Sequence, residues 1–425
     1  MRKIITLLFC LFAISAMAQT DTEEISAEQT TEKTATEKTA KKFERDIGIV
    51  RPFQASFVAP LGSNWLDSHL ITNKASFNVL GGHSYGNLYF EFGSLYNINL
   101  YLTRGFQMAG VFNWSGGTDN AVQFAGVFNT STDGNAAVQF GGVVNIASES
   151  TAQFAGAGNV TAGSTGTQMG GVFNFASEST AQFAGAGNVT AGPAGTQMSG
   201  VFNFAQGAAF QSASVLNISD GSTGTQMSPV LNIAKEVNGL QLGLINISGT
   251  MNGVPVGLFN VVKNNGKFDF EIGFSESLNT FMSFKMGVQK FYTIFSGAIN
   301  YLDNPTLYMA GVGFGTYVDL MTGSGWGYSI ELMCYDIIKE KKYSDDLNML
   351  TQFKIIISKQ FGDYFKVFAG PVGNFTISRY ENPSTGKIGT TLSPPWSSIW
   401  KKEKEKDKIT LDSWIGFEAG VGISI

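Results

Sequence analysis

The sequence predicts an all-β protein, an antiparallel up-and-down transmembrane β-barrel of about 22 strands. Three observations lead to this prediction. Charged residues make up only 14% of the 425 residues, against about 25% in an ordinary soluble chain. After residue 18 no stretch reaches the roughly 18 uninterrupted apolar residues of a membrane helix. Instead, a short unit of alternating apolar and polar residues recurs through residues 88–262, which indicates strands.

The first 46 residues are predicted to lie outside the folded part. Residues 1–18 have the pattern of a secretory signal peptide, with Arg2 and Lys3 before an apolar core and Ala16-Met17-Ala18 as the cleavage site. Residues 19–46 are almost free of apolar side chains and contain the near-repeat Thr-Glu-Lys-Thr-Ala at 31–35 and 36–40. Such a composition predicts a disordered periplasmic leader. Residues 47–425 are then predicted to form the barrel.

In nine units the repeat places a Gln and, six residues later, an Asn on one face of the predicted strand, and after Gln241 the gap shortens to five residues. Within one unit Gln168, Gly170 and Asn174 share a face, while Met169 and Phe173 share the other. In a barrel the amide face would line the lumen. The residues assigned to this lining are Gln107, Gln123, Gln139, Gln153, Gln168, Gln182, Asn113, Asn129, Asn145, Asn159, Asn174 and Asn188.

The turns between the units fall into two alternating classes. Ala147-Ser-Glu-Ser-Thr151 recurs at 176–180, and Thr161-Ala-Gly-Ser-Thr-Gly166 lies between the two. An up-and-down meander has two rims, so we expect the two turn classes at opposite rims. Only eight charged residues occur between 100 and 260, all in or beside turns, which is typical of strands that face lipid.

A β-solenoid followed by a C-terminal barrel is the alternative. With 14–16 residues per coil, it would stack the Gln and Asn side chains as ladders inside and arrange the phenylalanines in rows. The alternating turns favour hairpins over identical coils, and for that reason the single barrel is the preferred prediction.

The segments outside the repeat read as further strands. Two precede it, at 51–60 and 75–83, and eight follow it. The eight are predicted at 267–276, 279–288, 291–301, 306–318, 323–335, 346–360, 364–379 and 410–425. In the last of these, Ile415, Phe417, Val421 and Ile423 alternate with Gly and Glu418. This strand resembles the C-terminal strand by which the assembly machinery recognises outer-membrane barrels, although Ile425 stands where an aromatic residue is usual.

Several fragments resemble an uncharacterised family of surface-repeat outer-membrane β-barrel proteins in Bacteroides-like bacteria. They are the Gly-Val/Leu-x-Asn repeats, Val254-Pro-Val-Gly-Leu-Phe-Asn-Val-Val262, Phe368-Ala-Gly-Pro371 and Ile399-Trp-Lys-Lys402. The resemblance covers roughly residues 50–425. It implies a β-barrel in the outer membrane of a Gram-negative bacterium. The partners expected at that location are outer-membrane lipid, lipopolysaccharide and the barrel-assembly machinery. It implies no substrate and no functional residues.

The sequence predicts no enzyme, cofactor, metal site or nucleic-acid partner. The only histidines are His69 and His83, and His83 and Ser84 would point to opposite faces of a regular strand. Trp396, Trp400, Lys401 and Lys402 lie beside the densest run of charge and are assigned to a surface loop. That loop is read either as a solvated tip with interfacial tryptophans or as a contact for lipopolysaccharide phosphates.

These features leave two classes of function open. One is an outer-membrane barrel that acts as a passive channel for uncharged polar solutes or as a structural envelope protein. The other is a cell-surface repeat protein, an adhesin or display module, anchored in the outer membrane.

Overall fold

The computed structural model describes residues 47–302, 306–320, 323–339, 347–379, 392, 394, 398–404 and 407–425, with backbone alone for 339, 398–404, 407 and 408. The predicted signal peptide and leader lie outside these residues. The described chain is all-β and has two parts, a parallel stacked sheet and a closed antiparallel barrel. The 22-strand barrel is therefore wrong, and the alternative of a solenoid with a C-terminal barrel fits.

The first part is a β-solenoid in which successive coils pair in parallel and in register. Gln153 pairs with Gln168, and Gln168 with Gln182. Two segments predicted as membrane strands, 51–60 and 75–83, belong to its first coils. Its strands are β1 Ile49–Val58, β2 Leu61–Gly62, β3 Ile71–Asn78, β4 Gly81–Gly93, β5 Tyr96–Ala109, β6 Phe112–Ser115, β7 Thr118–Ala125, β8 Phe128–Ser131, β9 Gly134–Gly141, β10 Val144–Ala147, β11 Glu149–Ala155, β12 Gly158–Gly170, β13 Phe173–Ala184, β14 Gly187–Thr190, β15 Pro193–Ser199, β16 Phe202–Ala205, β17 Gly207–Ala213, β18 Leu216–Met227, β19 Leu231–Val237, β20 Leu240–Leu242, β21 Ile245–Met251, β22 Val254–Val256 and β23 Phe259–Val262. A 3₁₀-helix, Trp65–Leu70, follows β2.

Each coil has two corners, and these explain why the turn pattern was misread. The glycine corner joins the Gln segment to the Asn segment, as at Gly171, where an added Cβ would lie 2.0 Å from the carbonyl oxygen of Gly156 in the coil before. The acidic corner joins each Asn to the next Gln. Both turn classes lie at this second corner, and their difference of one residue is absorbed by a bulge between Thr161 and Ser164.

The second part is a closed barrel of eight strands. Consecutive strands pair antiparallel, and β24 pairs with β32 to close it, so all eight strands predicted after the repeat are present. The strands are β24 Lys267–Ser275, β25 Thr280–Val288, β26 Phe291–Asn300, β27 Leu307–Asp319, β28 Trp326–Lys339, β29 Asn348–Phe361, β30 Phe365–Ser378 and β32 Asp407–Ser424, with β31 Ser398–Lys404 forming a hairpin on β32.

The two rims of the barrel differ in the length of their connections. One rim carries 289–290, 320–325 and 362–364. The other carries 276–279, 301–306, 340–347 and the long connection after β30 that contains β31. We call these the short-turn rim and the long-loop rim.

Candidate functional site

The interior of the solenoid is a polar core built from two amide ladders. In the first, each Gln donates from Nε2 to Oε1 of the Gln in the preceding coil at 2.7–2.9 Å, from Gln123 to Gln241. The ladder ends at Gln107, whose Nε2 donates to Oε2 of Glu91 at 3.0 Å. The parallel register places each Gln beside the Gln of the neighbouring coil, so that stacked amides satisfy one another.

The second ladder runs in the opposite direction. Each Asn donates from Nδ2 to Oδ1 of the Asn in the following coil at 2.9–3.0 Å, from Asn78 to Asn260. Most of these amides also donate to a backbone carbonyl of the next coil, as Asn174 does to Phe183 at 2.7 Å. The amide dipoles of the two ladders therefore oppose each other.

All twelve residues assigned to a lumen lie in these ladders instead. Gln107, Gln123, Gln139, Gln153, Gln168, Gln182, Asn113, Asn129, Asn145, Asn159, Asn174 and Asn188 are fully buried. The alternation placed them correctly on one face. That face closes on itself within each coil rather than facing a water-filled barrel, so these amides carry structure and have no access to a solute.

Glu91 is the one carboxylate at the end of the Gln ladder. Its two oxygens accept hydrogen bonds from Asn78, Asn99 and Gln107 at 3.2, 2.8 and 3.0 Å. Burial raises the pKa of Glu91 to about 7, and the three hydrogen bonds oppose that rise. A carboxylate has no N–H, so the first residue of the ladder leaves no buried donor unpaired.

The outside of the solenoid is apolar over the glycine corner and over the adjoining parts of the Gln segments and the Asn segments. An open groove of about 1650 Å³ follows the corner on the Gln side. Its rows are formed by the residue after each Gln and, in the first coils, by the residues after Ser76 and Glu91, namely Phe77, Phe92, Met108, Phe124, Phe140, Phe154, Met169, Phe183 and Met198. Neighbouring rings stack, with centroids 4.6 Å apart for Phe124 and Phe140 and 4.9 Å for Phe140 and Phe154.

The opposite corner carries the charge. Asp133, Glu149, Glu178 and Asp220 are exposed there, and Asp119 pairs with Arg104 at 2.7 Å. The cross-section of the solenoid is therefore amphipathic, with one apolar edge and one acidic edge around a polar core.

The barrel, like the solenoid, has polar side chains inside, and several of those inside the barrel are charged. Lys285 pairs with Glu331 and, at 2.9 Å, with Glu271. Lys354 pairs with Glu418 at 2.7 Å. The remaining pairs link Lys366 to Asp269 at 2.5 Å and to Glu271 at 2.6 Å, and Lys267 to Asp269 at 2.6 Å.

The paired charges share the interior with packed side chains. Four lysines pair with four carboxylates, and Asp412 on the last strand is also buried. Tyr292, Tyr335, Phe281 and Leu350 are at most 1% exposed and pack in the same interior. An eight-stranded barrel is just wide enough for side chains to fill it, and this one is filled.

The outward face of the barrel is apolar and exposed. On the last strand the side chains of Ile415 and Phe417 are 77% and 57% exposed. Glu418, the next residue along the strand, is buried on the opposite face, as the alternation predicted. Other strands repeat the pattern, with Phe274, Met282, Phe314, Leu332, Phe353, Ile355, Ile357 and Phe375 exposed.

The last coil of the solenoid packs against the outer wall of the barrel at β25 and β26. Thr293 donates from Oγ1 to the carbonyl of Gly257 at 2.7 Å and accepts from Nδ2 of Asn260 at 3.0 Å. Phe259 stacks on Phe295 with ring centroids 5.4 Å apart. The Asn ladder thus ends on a barrel residue.

The assigned surface loop adds little to the site. Trp396 lies outside the described residues. Trp400, Lys401 and Lys402 belong to β31, whose backbone alone is described.

No family model, curated protein or solved structure matches this chain. Within the described ranges no helix is long and apolar enough to cross a membrane. The same residues contain no group of three or more His, Cys, Asp or Glu side chains placed to hold a metal ion.

Sequence reasoning missed the charges inside the barrel. Their signal was available, because Lys285, Glu331, Lys354 and Glu418 are isolated charges within alternating apolar strands. A lone charge on the face opposite to the apolar residues of a lipid-facing strand indicates an interior partner.

Proposed function

We propose that this protein is an integral outer-membrane protein in which the closed barrel is the anchor and the solenoid is a structural module attached to it. The observation that carries the proposal is the inverted polarity of the barrel. Paired charges lie inside and apolar side chains such as Ile415 and Phe417 face outward. In aqueous solution this apolar wall would be exposed to water, whereas in a membrane it would contact lipid.

The packed interior argues against a passive channel. Ion pairs such as Lys354–Glu418 and the aromatic cluster around Tyr292 occupy the space that a solute would need. A structural envelope role therefore has better support than transport, and we expect no stepwise conductance from the protein in planar bilayers.

The position of the solenoid favours the periplasmic side. Bacterial barrels have short periplasmic turns and longer extracellular loops. The solenoid packs beside the short-turn rim, where Lys290 in the 289–290 turn donates to the carbonyl of Asn252 at 2.7 Å. A surface adhesin would instead need its repeats at the long-loop rim.

Cysteine labelling on whole cells tests this proposal. In a chain with Cys10 and Cys334 replaced by alanine, a membrane-impermeant maleimide should label Leu302→Cys, at the long-loop rim, on intact cells. It should label Asp363→Cys, at the short-turn rim, only after the outer membrane is permeabilised. Both parent residues are exposed. The reverse pattern would overturn the assigned sides, and equal labelling of both sites on intact cells would overturn membrane insertion.

A further inference from the structure

We infer that the solenoid lies along the membrane with its glycine corner immersed in the acyl chains of the lipid leaflet next to the short-turn rim. The inference rests on the proposed membrane location of the barrel and adds a partner for the solenoid, namely the leaflet itself. Four observations support it.

The first observation is the orientation of the last coil on the barrel. Its acidic-corner end contacts the rim, since Lys290 binds the carbonyl of Asn252. Its glycine-corner end contacts the wall further from the rim, through Gly257 with Thr293 and Phe259 with Phe295. Residues 290 and 295 are separated by about 16 Å along the strand. The glycine corner therefore points from the rim into the layer that covers the barrel wall.

The second observation is the continuity of the apolar surface. The residue two positions before each Asn forms a row along the glycine corner that leads to this contact. In it Val143, Val172, Val201, Val215, Val230 and Leu244 are 40–48% exposed. At about 4.8 Å per coil the row runs roughly 34 Å. The row adjoins the aromatic groove on the Gln side, and contiguous apolar patches of more than a few hundred Å² are rare on soluble monomers and mark interaction surfaces.

The third observation is that most backbone N–H groups of the glycine corner are paired within the solenoid. A segment in a lipid layer must satisfy its N–H and C=O groups internally. Val172 and Phe173 donate from N to the carbonyl of Ala157 at 2.7 and 3.0 Å, and Gly171 donates to Ala155 at 3.1 Å. The amide side chains point inward into the ladders, so at this edge most N–H groups are paired and, apart from serines such as Ser94 and Ser212, apolar side chains face outward.

The fourth observation is the placement of charge. Glu149, Glu178 and Asp220 lie at the opposite corner, on the side that contacts the rim and therefore faces water. An interfacial amphipathic element buries its apolar face about 5–10 Å into a leaflet. The solenoid likewise has an apolar edge and a charged edge on opposite sides. Its interior is formed by two ladders of hydrogen-bonded amides.

Depth-dependent quenching in reconstituted vesicles tests the inference. The full chain, with Cys10 and Cys334 replaced by alanine, carries one environment-sensitive fluorophore at Val143→Cys on the glycine corner or at Glu149→Cys on the acidic corner of the same stack. A third variant carries it at Phe353→Cys on the barrel wall. The vesicles contain phosphatidylcholine with spin labels on the acyl chains, and iodide is the aqueous quencher.

We expect the lipid probe to quench the labels at Val143 and Phe353 at least threefold more than the label at Glu149, with the opposite order for iodide. Quenching at Phe353 without quenching at Val143 would overturn the inference and leave the barrel anchor intact. Absence of lipid quenching at Phe353 would overturn the anchor. A label at Val143 that is shielded from both quenchers would overturn the inference in favour of a second copy on the apolar edge.

Discussion

Gln107 donates a hydrogen bond of 3.0 Å to Glu91, and this contact ends a ladder of ten glutamines on the one buried carboxylate of the solenoid. Its neighbours Asn78 and Asn99 also donate to Glu91. The first coils of the solenoid are thus held by an acceptor that is able to lose or gain a proton.

The pH dependence of stability tests this arrangement. Burial raises the pKa of folded Glu91 from its ordinary value of 4.5 to about 7, so the folded chain holds an extra proton between these values. The stabilisation that comes from this extra proton is complete below pH 4.5. It is lost as the pH rises to about 7, which lowers the free energy of unfolding by roughly 3 kcal/mol. Hydrogen exchange of the first coils should show this loss. Glu91→Gln should remove it, while the exposed control Glu149→Gln should retain it; an unchanged pH profile in Glu91→Gln would contradict the account.

Interrupting the Gln ladder should destabilise the solenoid. Gln168 donates to Gln153 and accepts from Gln182, both at 2.8 Å. In Gln168→Leu both partners lose a buried hydrogen bond, each at a cost of about 1–3 kcal/mol. Thr167→Ala, on the outward face beside it, should change the free energy of unfolding by less than about 0.5 kcal/mol. Denaturant unfolding measures both, and equal effects would show that the interior amides carry no special stability.

Replacing one partner of the Lys354–Glu418 ion pair should destabilise the barrel more than replacing both partners. Lys354→Met leaves Glu418 buried and unpaired, which should cost about 3–5 kcal/mol. The double variant Lys354→Met/Glu418→Met should recover most of that loss. Urea unfolding in detergent, followed by the gel mobility of the folded barrel, measures the difference. A single variant as stable as the parent would mean that the barrel interior is open to water.

The joint between solenoid and barrel depends on Thr293. Thr293→Val keeps the shape of the side chain but removes its bonds to Gly257 and Asn260. Losing one to two kcal/mol there should raise hydrogen exchange in residues 245–262 by about 5- to 30-fold. Thr280→Val, at the far end of the neighbouring strand, serves as the control. Unchanged exchange in the last coils would show that they do not depend on the barrel.

The local structure was largely predictable from the sequence, and the direction of the repeat strands was not. Alternation placed Gln168 and Asn174 on one face and gave all eight barrel strands to within a few residues. Gln at one end of each unit and Asn at the other fit a parallel or an antiparallel neighbour equally well. The extra residue accommodated by the bulge between Thr161 and Ser164 makes a single corner resemble two kinds of turn in the sequence. The prediction therefore favoured hairpins over coils.

The site was less predictable because it depends on contacts between distant residues. Lys354 and Glu418 are 64 positions apart, and only barrel closure brings them together. The contact of Thr293 with Gly257 likewise needs the whole barrel to be in place. Composition indicated a large apolar surface, but it could not show that this surface is divided between a solenoid and a barrel.

The most direct test of the solenoid is the distance between Glu149 and Ser164. In the structure they lie at the same corner of adjacent coils, where Ser150 pairs with Thr165. Spin labels at Glu149→Cys and Ser164→Cys, with Cys10 and Cys334 replaced by alanine, should show strong dipolar broadening because adjacent coils are about 5 Å apart. In a single 22-strand barrel the two turns would lie at opposite rims, separated by at least the apolar band of about 25 Å. Broadening is the result we predict, and a separation of 25 Å or more would contradict the solenoid.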